Sequence, residues 1–390
     1  MFKKPKIFVF AHESEMNGAS HSLLTILTGL KDQYEFLVIV PAEGLMANAL
    51  RKNNINYKLL NLPRCGYFNY ISFIYHLKIT TKYYKNKRYF NKKLISVVNE
   101  FQPDIIYTNT SVLSWGFDIA KKIKKPHVWH IREYGYKDFK IVYIPFRANI
   151  ILKMKQSAVS IFTTNLLKKH WVGINQKNAE VVFNGVFEEI NPVKNKFIFA
   201  DKDEVVLGIV GIVIETKGYQ EAIEILKTLL ESKSKVKLFI FGSTNNVQFK
   251  LQLEKKIEEF GLIDKVIFKG YVSDDLIYNS IDILLSCAKD EAFGRTIIEA
   301  MSHGVPVVAK NSGGPTEIIQ DGHDGFLYDT ILDASEKLNI LINDSFLYEK
   351  ISKSGLNSAQ NKFSKECYIA KMNTIFKNNL EPDTKKIKNI

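Results

Sequence analysis

The sequence predicts an α/β protein made of two Rossmann-like domains, each a doubly wound parallel sheet. Short β-branched runs alternate with amphipathic helical stretches along almost the whole chain, and such alternation is typical of βαβ units. The chain has 390 residues, which is long for a single hydrophobic core. A polar segment, residues 187–203, separates seven predicted strands from six.

Each predicted strand is a short apolar run followed by a turn or a helical stretch. In the first half these runs are KIFVF (6–10), EFLVIV (35–40), NYKLL (56–60), DIIYT (104–108), HVWHI (127–131), VSIFTT (159–164) and EVVF (180–183). In the second half they are VVLGIVG (205–211), VKLFIFG (236–242), KVIFKG (265–270), DILLS (282–286), VPVVA (305–309) and GFLY (325–328).

These runs define an N-terminal domain over residues 1–190 and a C-terminal domain over residues 200–364. The last helical stretch, residues 365–385, follows the final strand and is expected to complete the first domain. Ligands of parallel sheets bind at the carboxyl ends of the strands. The cleft between two such domains is therefore the expected site.

The composition, with 46% hydrophobic and 24% charged residues, is that of a soluble globular protein. Three cysteines, Cys65, Cys287 and Cys367, lie far apart and form neither a disulfide framework nor a zinc motif. The apolar run at the start is too short for a signal peptide, and no run of about 18 apolar residues is present. We expect a cytoplasmic protein, with the cytoplasmic face of a membrane as one location.

The net charge of +13 is unevenly distributed. Residues 44–99 contain eleven Lys or Arg and no Asp or Glu, and aromatic residues are interleaved with the charges between residues 77 and 93. This stretch is either an ordinary solvated helix face or a patch for an anionic membrane surface or an anionic acceptor. No helix-turn-helix, RNP or zinc-finger spacing accompanies it, so nucleic acid is not an expected partner.

The most informative segment is DEAFGRTIIEAMSHGVPVVAKNSGG, residues 290–314. It predicts a loop, a helix that starts at Gly294 and is stopped by Gly304, a strand and a Gly-Gly turn. The start of such a helix offers unpaired N–H groups and a partial positive charge, which favour a phosphate. Glu291 and Glu299 flank this end and are placed to accept hydrogen bonds from hydroxyls on either side of a diphosphate.

This segment resembles the nucleotide-sugar signature of the retaining GT-B glycosyltransferases, the large family 4 group (glycosyl transferases group 1). The resemblance covers residues 205–329 well and the first half loosely. It implies that Glu291 contacts the transferred sugar and that Glu299 holds the ribose. It also implies backbone contacts to sugar and phosphate at four consecutive residues, Phe293, Gly294, Arg295 and Thr296.

The resemblance also implies a lysine for the departing diphosphate. Lys217 matches that lysine, in the loop after the strand that ends at Gly211, and Gly211 is assigned to the donor side. A fixed cation stabilises the charge that accumulates on a leaving diphosphate. Many relatives carry an arginine where this chain has Ile212, which leaves Arg295 or Arg132 as the alternative second cation.

Further site residues follow from position and resemblance. His130, at the carboxyl end of HVWHI, matches a family histidine near the sugar and the phosphate and is assigned to catalysis with Glu291 and Lys217. The loop after KVIFKG is expected to contact the nucleobase through Gly270 and Tyr271. The residues assigned to the acceptor side are Gly18, Ala19, Ser20 and Arg132.

No metal or other cofactor is expected, because a lysine and helix dipoles make a metal unnecessary for the diphosphate. The acids of the segment Asp201–Asp203 match an Asp-x-Asp metal motif in form only, since they lie in the predicted linker.

The predicted activity is transfer of a sugar, with retention, from a nucleotide diphosphate sugar to a hydroxyl of a lipid-linked or surface-polysaccharide acceptor. A UDP-sugar is the first donor candidate and a GDP-sugar the second. Two alternatives remain: a GT-B epimerase that needs no acceptor, and a non-catalytic scaffold subunit of a glycosyltransferase complex. Contact with an anionic inner membrane is a further expectation.

Overall fold

The structure, a computed structural model, describes residues 3–68, 72–188, 204–244, 246–272 and 274–380. These residues form two compact units. The first unit contains the chain up to Gly185 and again from Lys365, and the second unit contains Val186–Ser364. Of the predicted linker only Phe187 and Glu188 are described, so the Asp-x-Asp motif lies outside the described residues.

The first unit is built on a parallel sheet whose strand order is β3-β2-β1-β5-β6-β8-β9. All seven strands predicted in this half are confirmed, with small shifts at their ends. The order reverses between β1 and β5, which is the switch point where such sheets bind ligands. The strands of this unit are β1 (Lys6–Phe10), β2 (Glu35–Val40), β3 (Asn56–Leu59), β4 (Gly66–Phe68), β5 (Ile105–Thr108), β6 (His127–Ile131), β7 (Ile141–Tyr143), β8 (Val159–Phe162) and β9 (Ala179–Val181).

Helices cover both faces of this sheet, which is why its central strands are apolar at nearly every position. Ile7 and Val9 of β1 face one layer of core residues, whereas Phe8 and Phe10 face the other. The helices along this part of the chain are α1 (Gly18–Leu30), α2 (Leu45–Lys52), α3 (Phe73–Phe101), α4 (Trp115–Ile123), α5 (Tyr136–Phe139), α6 (Arg147–Gln156) and α7 (Asn165–Trp171).

A small antiparallel ribbon, formed by β4 and β7, is absent from the sequence prediction. Its two strands have three residues each and lie more than seventy positions apart, with Gly66 opposite Tyr143 and Phe68 opposite Ile141. At Gly66 a side chain would approach Ile141 to 2.7 Å, so the absence of a Cβ lets the two strands pack. The ribbon lies beside the carboxyl edge of the sheet, because Cys65 N–H donates to the carbonyl of Val112 in the segment after β5.

The second unit has a parallel sheet in the order β12-β11-β10-β13-β14-β15, and its switch point lies between β10 and β13. All six strands predicted for this half are confirmed. They are β10 (Val205–Val210), β11 (Val236–Phe241), β12 (Val266–Gly270), β13 (Ile283–Ser286), β14 (Val307–Lys310) and β15 (Phe326–Tyr328). The helices are α8 (Tyr219–Glu231), α9 (Val247–Glu259), α10 (Asp274–Ser280), α11 (Arg295–Ser302), α12 (Pro315–Ile318), α13 (Ile331–Asn343) and α14 (Ser345–Phe363).

The last helix, α15 (Lys365–Leu380), belongs to the first unit. Tyr368, Met372, Ile375 and Phe376 complete the core layer that α1 and β1 begin. Tyr34 joins this contact, since its ring packs edge-on against Phe376 and its hydroxyl donates to Asn373 Oδ1 at 2.7 Å. The first unit is therefore assembled from both ends of the described chain.

Candidate functional site

The carboxyl ends of β10 and β13 border a small cavity that is partly open to solvent. Lys217, Glu291 and Thr296 line it, together with backbone at the ends of the two strands. Three of the residues predicted for the donor site therefore meet at the switch point of the second sheet. Parallel α/β sheets bind their ligands at this place.

Lys217 reaches the cavity from a single 3-10 turn, Glu215–Lys217, that follows β10. Gly218 ends this turn with a φ of +74° and also starts α8. A Cβ at this position would lie 2.2 Å from the carbonyl oxygen of Cys287. Only glycine allows the turn to close against the end of β13, and this closure directs the lysine toward the cavity.

Lys217 Nζ lies 2.5 Å from Glu291 Oε2. Burial would raise the pKa of Glu291, but the Lys217 ammonium and the N–H of Phe293 outweigh burial and hold this pKa below its ordinary value. Glu291 is therefore a carboxylate at neutral pH. As a carboxylate it accepts hydrogen bonds and donates none, which suits sugar hydroxyls.

The two glycines that follow β14 support the loop of Glu291. Gly314 N–H donates to the carbonyl of Glu291 at 2.6 Å. Gly313 has a φ of +67°, and a Cβ there would lie 2.5 Å from the same carbonyl oxygen. The Gly-Gly turn predicted after this strand thus holds the backbone that carries the acid.

The helix α11 begins after Gly294, whose φ is +106°. Because glycine has no side chain, no capping side chain at this position accepts a hydrogen bond from the first-turn amides. Phe293 is buried, with its ring edge-on to Phe363, so its side chain does not reach the cavity. Thr296 lines the cavity beside these amides. Gly304, with a φ of +69°, follows the end of the helix as predicted.

Glu299 lies inside α11 and is buried. Arg295 Nε donates to Glu299 Oε1 at 2.6 Å, and the hydroxyl of Tyr278 donates to Glu299 Oε2 at 3.0 Å. These bonds fix the rotamer of a side chain that the resemblance assigns to the ribose. They also direct the Nε of Arg295 to its own helix rather than outward. Tyr278 was not predicted to lie here, because nothing in the sequence of α10 distinguishes it from a core tyrosine.

Three strand ends meet beside this cluster. Tyr219 Oη donates to the carbonyl of Gly211 at 2.6 Å, and Gly242 N–H donates to the carbonyl of Gly270 at 2.8 Å. A Cβ at Gly242, after β11, would lie 1.8 Å from the carbonyl oxygen of Gly211, after β10. The ends of β10 and β11 are therefore in close contact. Tyr271 follows with 88% of its side chain exposed and is free to stack on a base.

Ile212 is 53% exposed just after β10. An exposed isoleucine at this position carries no charge, and the space around its side chain is open to solvent. Where the resemblance leads us to expect an arginine, the chain therefore has an uncharged side chain whose loss of charge is not compensated by burial.

In the first unit, Arg132 is at the centre of a buried hydrogen-bond network. Its Nε donates to Asn109 Oδ1 at 2.7 Å, and its Nη2 donates to the Tyr368 hydroxyl at 2.7 Å. Its Nη1 donates to Asn184 Oδ1, which lies next to the point where the chain leaves this unit. Arg132 thus ties β6, the outgoing chain and α15 together, and these internal contacts occupy a guanidinium that was assigned to the acceptor side.

His130 is fully buried at the end of β6. Its Nδ1 is 3.0 Å from the Tyr107 hydroxyl, while its Nε2 has no hydrogen-bond partner within the described parts of the chain. Burial, reinforced by the charge of Arg132, holds the pKa of His130 well below its ordinary value. The imidazole is therefore neutral at physiological pH.

The residues Gly18, Ala19 and Ser20 form the first turn of α1. Asn17 Oδ1 accepts from Ser20 N–H at 3.0 Å, and Asn109 Nδ2 donates to the carbonyl of Ala19 at 3.0 Å. Asn109 also accepts from Arg132, so it connects the two groups of residues that were assigned to the acceptor side. Asn109 was not predicted as a site residue, although its position directly after β5, at the switch point of the sheet, is one where ligand-binding residues are expected.

No cluster of three or more His, Cys, Asp or Glu residues in the described ranges has the arrangement of a metal site. Among the same residues, no helix is both long enough and apolar enough to cross a bilayer.

Residues 191–358 match the family model of Glycosyl transferases group 1. The capsular polysaccharide biosynthesis glycosyltransferase CapM of Staphylococcus aureus is 28% identical over 59% of this chain, and the alignment spans 62% of CapM, less than two thirds of its length. The alpha-monoglucosyldiacylglycerol synthase of Streptococcus pneumoniae is 22% identical over 97% of this chain and 88% of its own.

Among solved structures, that of Anabaena Alr3699/HepE in complex with UDP and glucose is similar over 96% of this chain and all of its own, with a TM-score of 0.77 and 19% identity. This similarity confirms the predicted fold, two parallel-sheet α/β domains of the GT-B type.

Proposed function

Because this chain has the GT-B fold and residues 191–358 match the Glycosyl transferases group 1 model, we propose that it is a glycosyltransferase. It transfers a sugar from a nucleotide diphosphate sugar to a hydroxyl, with retention at the anomeric carbon. The observation that carries this proposal is the approach of Lys217 to Glu291 beside the start of α11, in a cavity at the switch point of the second sheet.

The proposed roles follow from charge and position. The Lys217 ammonium and the first-turn amides of α11 stabilise the charge that develops on the leaving diphosphate. Glu291, an ionised carboxylate, orients the transferred sugar through its hydroxyls. The leaving phosphate oxygen accepts the proton of the incoming hydroxyl, so the bond to the acceptor forms on the face from which the diphosphate departs.

Glu299 holds the ribose of the donor. Its carboxylate oxygens accept from Arg295 and Tyr278, which hold the side chain in place, and a carboxylate offers about four acceptor positions in all. Gly211, Gly270 and Tyr271 border the place of the base, where the exposed ring of Tyr271 is available for stacking. His130 assists catalysis near the sugar and the phosphate, and the first turn of α1 lines the acceptor side of the first unit.

We favour a UDP-sugar as donor and keep a GDP-sugar second. One similar HepE structure contains UDP and glucose, and another contains UDP-glucose, which supports a UDP-sugar as donor. We propose a lipid-linked or surface-polysaccharide acceptor. Two relatives support an acceptor of this class by their names. CapM is named for capsular polysaccharide biosynthesis, and the other relative is an alpha-monoglucosyldiacylglycerol synthase.

A two-step assay tests the proposal. UDP- and GDP-sugars are first screened for thermal stabilisation of the full chain, and each hit is then incubated with and without a membrane lipid extract. A glycosyltransferase gives acceptor-dependent transfer together with slow donor hydrolysis. Conversion of the donor to its epimer without acceptor would show the epimerase instead. Tight donor binding without any turnover would identify a non-catalytic scaffold.

A further inference from the structure

The first unit carries an exposed apolar surface that the proposed catalytic groups do not use. It is formed by Phe68, Phe73, Ile74, Phe139 and Phe146, here called the aromatic tip. These side chains are 61%, 68%, 79%, 51% and 62% exposed. Soluble proteins rarely leave so many large apolar side chains together in water unless the surface binds something.

Contacts across the β4–β7 ribbon bring the members of the tip together. Phe68 lies opposite Ile141 in the ribbon, and Phe139 precedes Ile141 by two residues. The ring of His76 in α3 stacks on that of Phe146, with 5.9 Å between the ring centroids. Its Nδ1 is hydrogen-bonded to the Tyr67 hydroxyl at 2.8 Å. The start of α3, the ribbon and the segment after β7 thus form one continuous surface.

The rest of α3 continues this surface with positive charge. Its 29 residues extend over about 43 Å at the usual helical rise. The buried residues of the helix fall on one side, and the exposed side contains six cations and no acid before Glu100. These cations, called the basic face, are Lys78, Lys82, Lys85, Arg88, Lys92 and Lys93.

The basic face differs from the other lysine-rich surfaces of the molecule. None of its six cations has an ion-pair partner within the described ranges. All three lysines of α9, by contrast, pair with glutamates: two pair one turn along the same helix, and Lys256 pairs with Glu224 of α8. Unpaired cations on one side of a helix, next to exposed aromatic and aliphatic side chains, are the pattern of a helix that lies on an anionic membrane surface.

We propose that the aromatic tip and the basic face together form a docking surface for an anionic lipid bilayer. The cations attract the anionic headgroups, and the tip inserts its rings at the boundary between headgroups and acyl chains. The charge argues for an anionic membrane over a neutral partner, because a stretch of 56 residues, 44–99, contains eleven cations and no acid.

The location of the ribbon links this surface to the acceptor side. Tyr143 of β7 is 2.6 Å from Ser111 Oγ, and Ser111 also donates to Glu133 Oε1 at 2.6 Å. Ser111 follows β5 and Glu133 follows β6, so both lie at the carboxyl edge of the first sheet. A bilayer held at the tip therefore lies next to the edge of the first unit where we place a lipid-linked acceptor, and this point rests on the proposed function.

The test is sedimentation of the full chain with phosphatidylcholine vesicles, prepared with and without phosphatidylglycerol. We expect binding to the anionic vesicles only, and its loss near 1 M salt, where the screening length falls to about 3 Å. The triple substitution Lys82→Gln/Lys85→Gln/Lys92→Gln should weaken binding about 100-fold at low salt. The double substitution Phe73→Ser/Ile74→Ser should weaken it at least tenfold, since it removes apolar area from the interface.

Matched substitutions in the second unit serve as controls. Lys250→Gln/Lys255→Gln/Lys353→Gln removes the same charge, and Ile263→Ser/Phe346→Ser removes two side chains of similar exposure. Both controls should bind as the parent does. All substituted side chains except Lys250, which is half-buried, are largely exposed, and thermal unfolding will verify that each variant is folded.

Equal binding to neutral vesicles, or equal weakening by the controls, would overturn the proposal. A dimer that Phe73→Ser/Ile74→Ser converts to a monomer, without any vesicle binding by the parent, would show instead that the surface joins two copies of the chain. Vesicle binding requires neither donor nor turnover. Failure of this test therefore leaves the proposed transfer intact, and an inactive protein that still binds anionic vesicles would contradict only the proposed transfer.

Discussion

The ion pair between Lys217 and Glu291 connects the two loops that follow β10 and β13, the strands at which the order of the second sheet reverses. The lysine is proposed to serve the diphosphate of the donor, and the glutamate its sugar. Donor binding would exchange this single internal contact for two separate sets of contacts. The two residues are therefore positioned by each other before they are positioned by substrate.

Replacing Lys217 with Met should lower kcat by a factor of about 100 to 1000, because one fixed charge at the leaving diphosphate is lost. Lys217→Arg should retain part of the rate. Lys310→Met is the matched control, since Lys310 Nζ also forms a 2.6 Å ion pair, with Glu221, in the same unit. Steady-state transfer rates measure the effect, and an equal loss in both Met variants would argue against a direct role of Lys217.

The two acids should separate binding from transfer. Glu299→Gln is expected to weaken UDP binding about tenfold, because a charge-assisted hydrogen bond to the ribose becomes a neutral one. Tyr278→Phe should weaken it by a smaller factor, since it removes only the hydroxyl that holds Glu299 in place.

Glu291→Gln should leave UDP affinity unchanged and reduce kcat at least 100-fold. Titration calorimetry with UDP and initial transfer rates give the two quantities independently. If both acids affected nucleotide affinity equally and transfer alike, the division of roles between sugar and ribose would be wrong.

Ile212→Arg should increase donor affinity about tenfold by adding a cation near the diphosphate. The position is half exposed, so the longer side chain fits without repacking. Ile263→Arg adds the same charge at another exposed isoleucine of this unit and should change affinity little. An increase with both variants would indicate a general effect of net charge and not a missing phosphate contact.

Arg132→Met should destabilise the first unit by about 3 kcal/mol, because the side-chain oxygens of Asn109, Asn184 and Tyr368 lose their hydrogen-bond donor. Tyr368→Phe should cost about 1 kcal/mol, since only one hydrogen bond is removed. Urea unfolding of both variants provides the measurement. A Met variant that unfolds like the parent but fails to use acceptor would restore the acceptor role that the sequence suggested.

Stability should fall in weak acid, in part because of His130. The pKa of the folded-state imidazole is lowered by burial, so the unfolded chain takes up a proton below pH 6.5 while the folded protein does not. One such group removes about 2 kcal/mol between pH 6.5 and pH 5. His130→Asn should reduce this pH dependence, whereas His323→Asn, at an exposed site, should not. Equal pH profiles of stability for the parent and His130→Asn would show that the buried imidazole does not cause this loss of stability.

The strands of both parallel sheets are readable from the sequence. The thirteen strands were recognisable because most of them are buried β-branched runs, and parallel sheets covered on both faces require such runs. Lys217, Glu291 and Thr296 were expected from the resemblance and from the predicted helix start at Gly294. The structure places all three at the edge where the order of the second sheet reverses.

Other features depend on pairings between distant segments, which the sequence does not encode locally. The strands β4 and β7 have three residues each, too short for a periodic pattern, and they exist only because they pair with each other. Arg132 follows a strand end like a ligand-binding residue, yet its partners come from three separate parts of the first unit. The direction of a buried guanidinium is decided by such partners and not by its neighbours in the chain.

The return of α15 to the first unit has a consequence for biosynthesis. On the ribosome, β1 and α1 emerge early, but the helix that supplies Tyr368, Met372 and Phe376 to their core layer emerges only after the whole second unit. Until then the side of α1 that packs against α15 is uncovered, and exposed apolar surface of this kind makes a nascent chain prone to aggregate. A stop codon shortly before residue 365 would therefore release a chain whose first unit lacks part of its core layer.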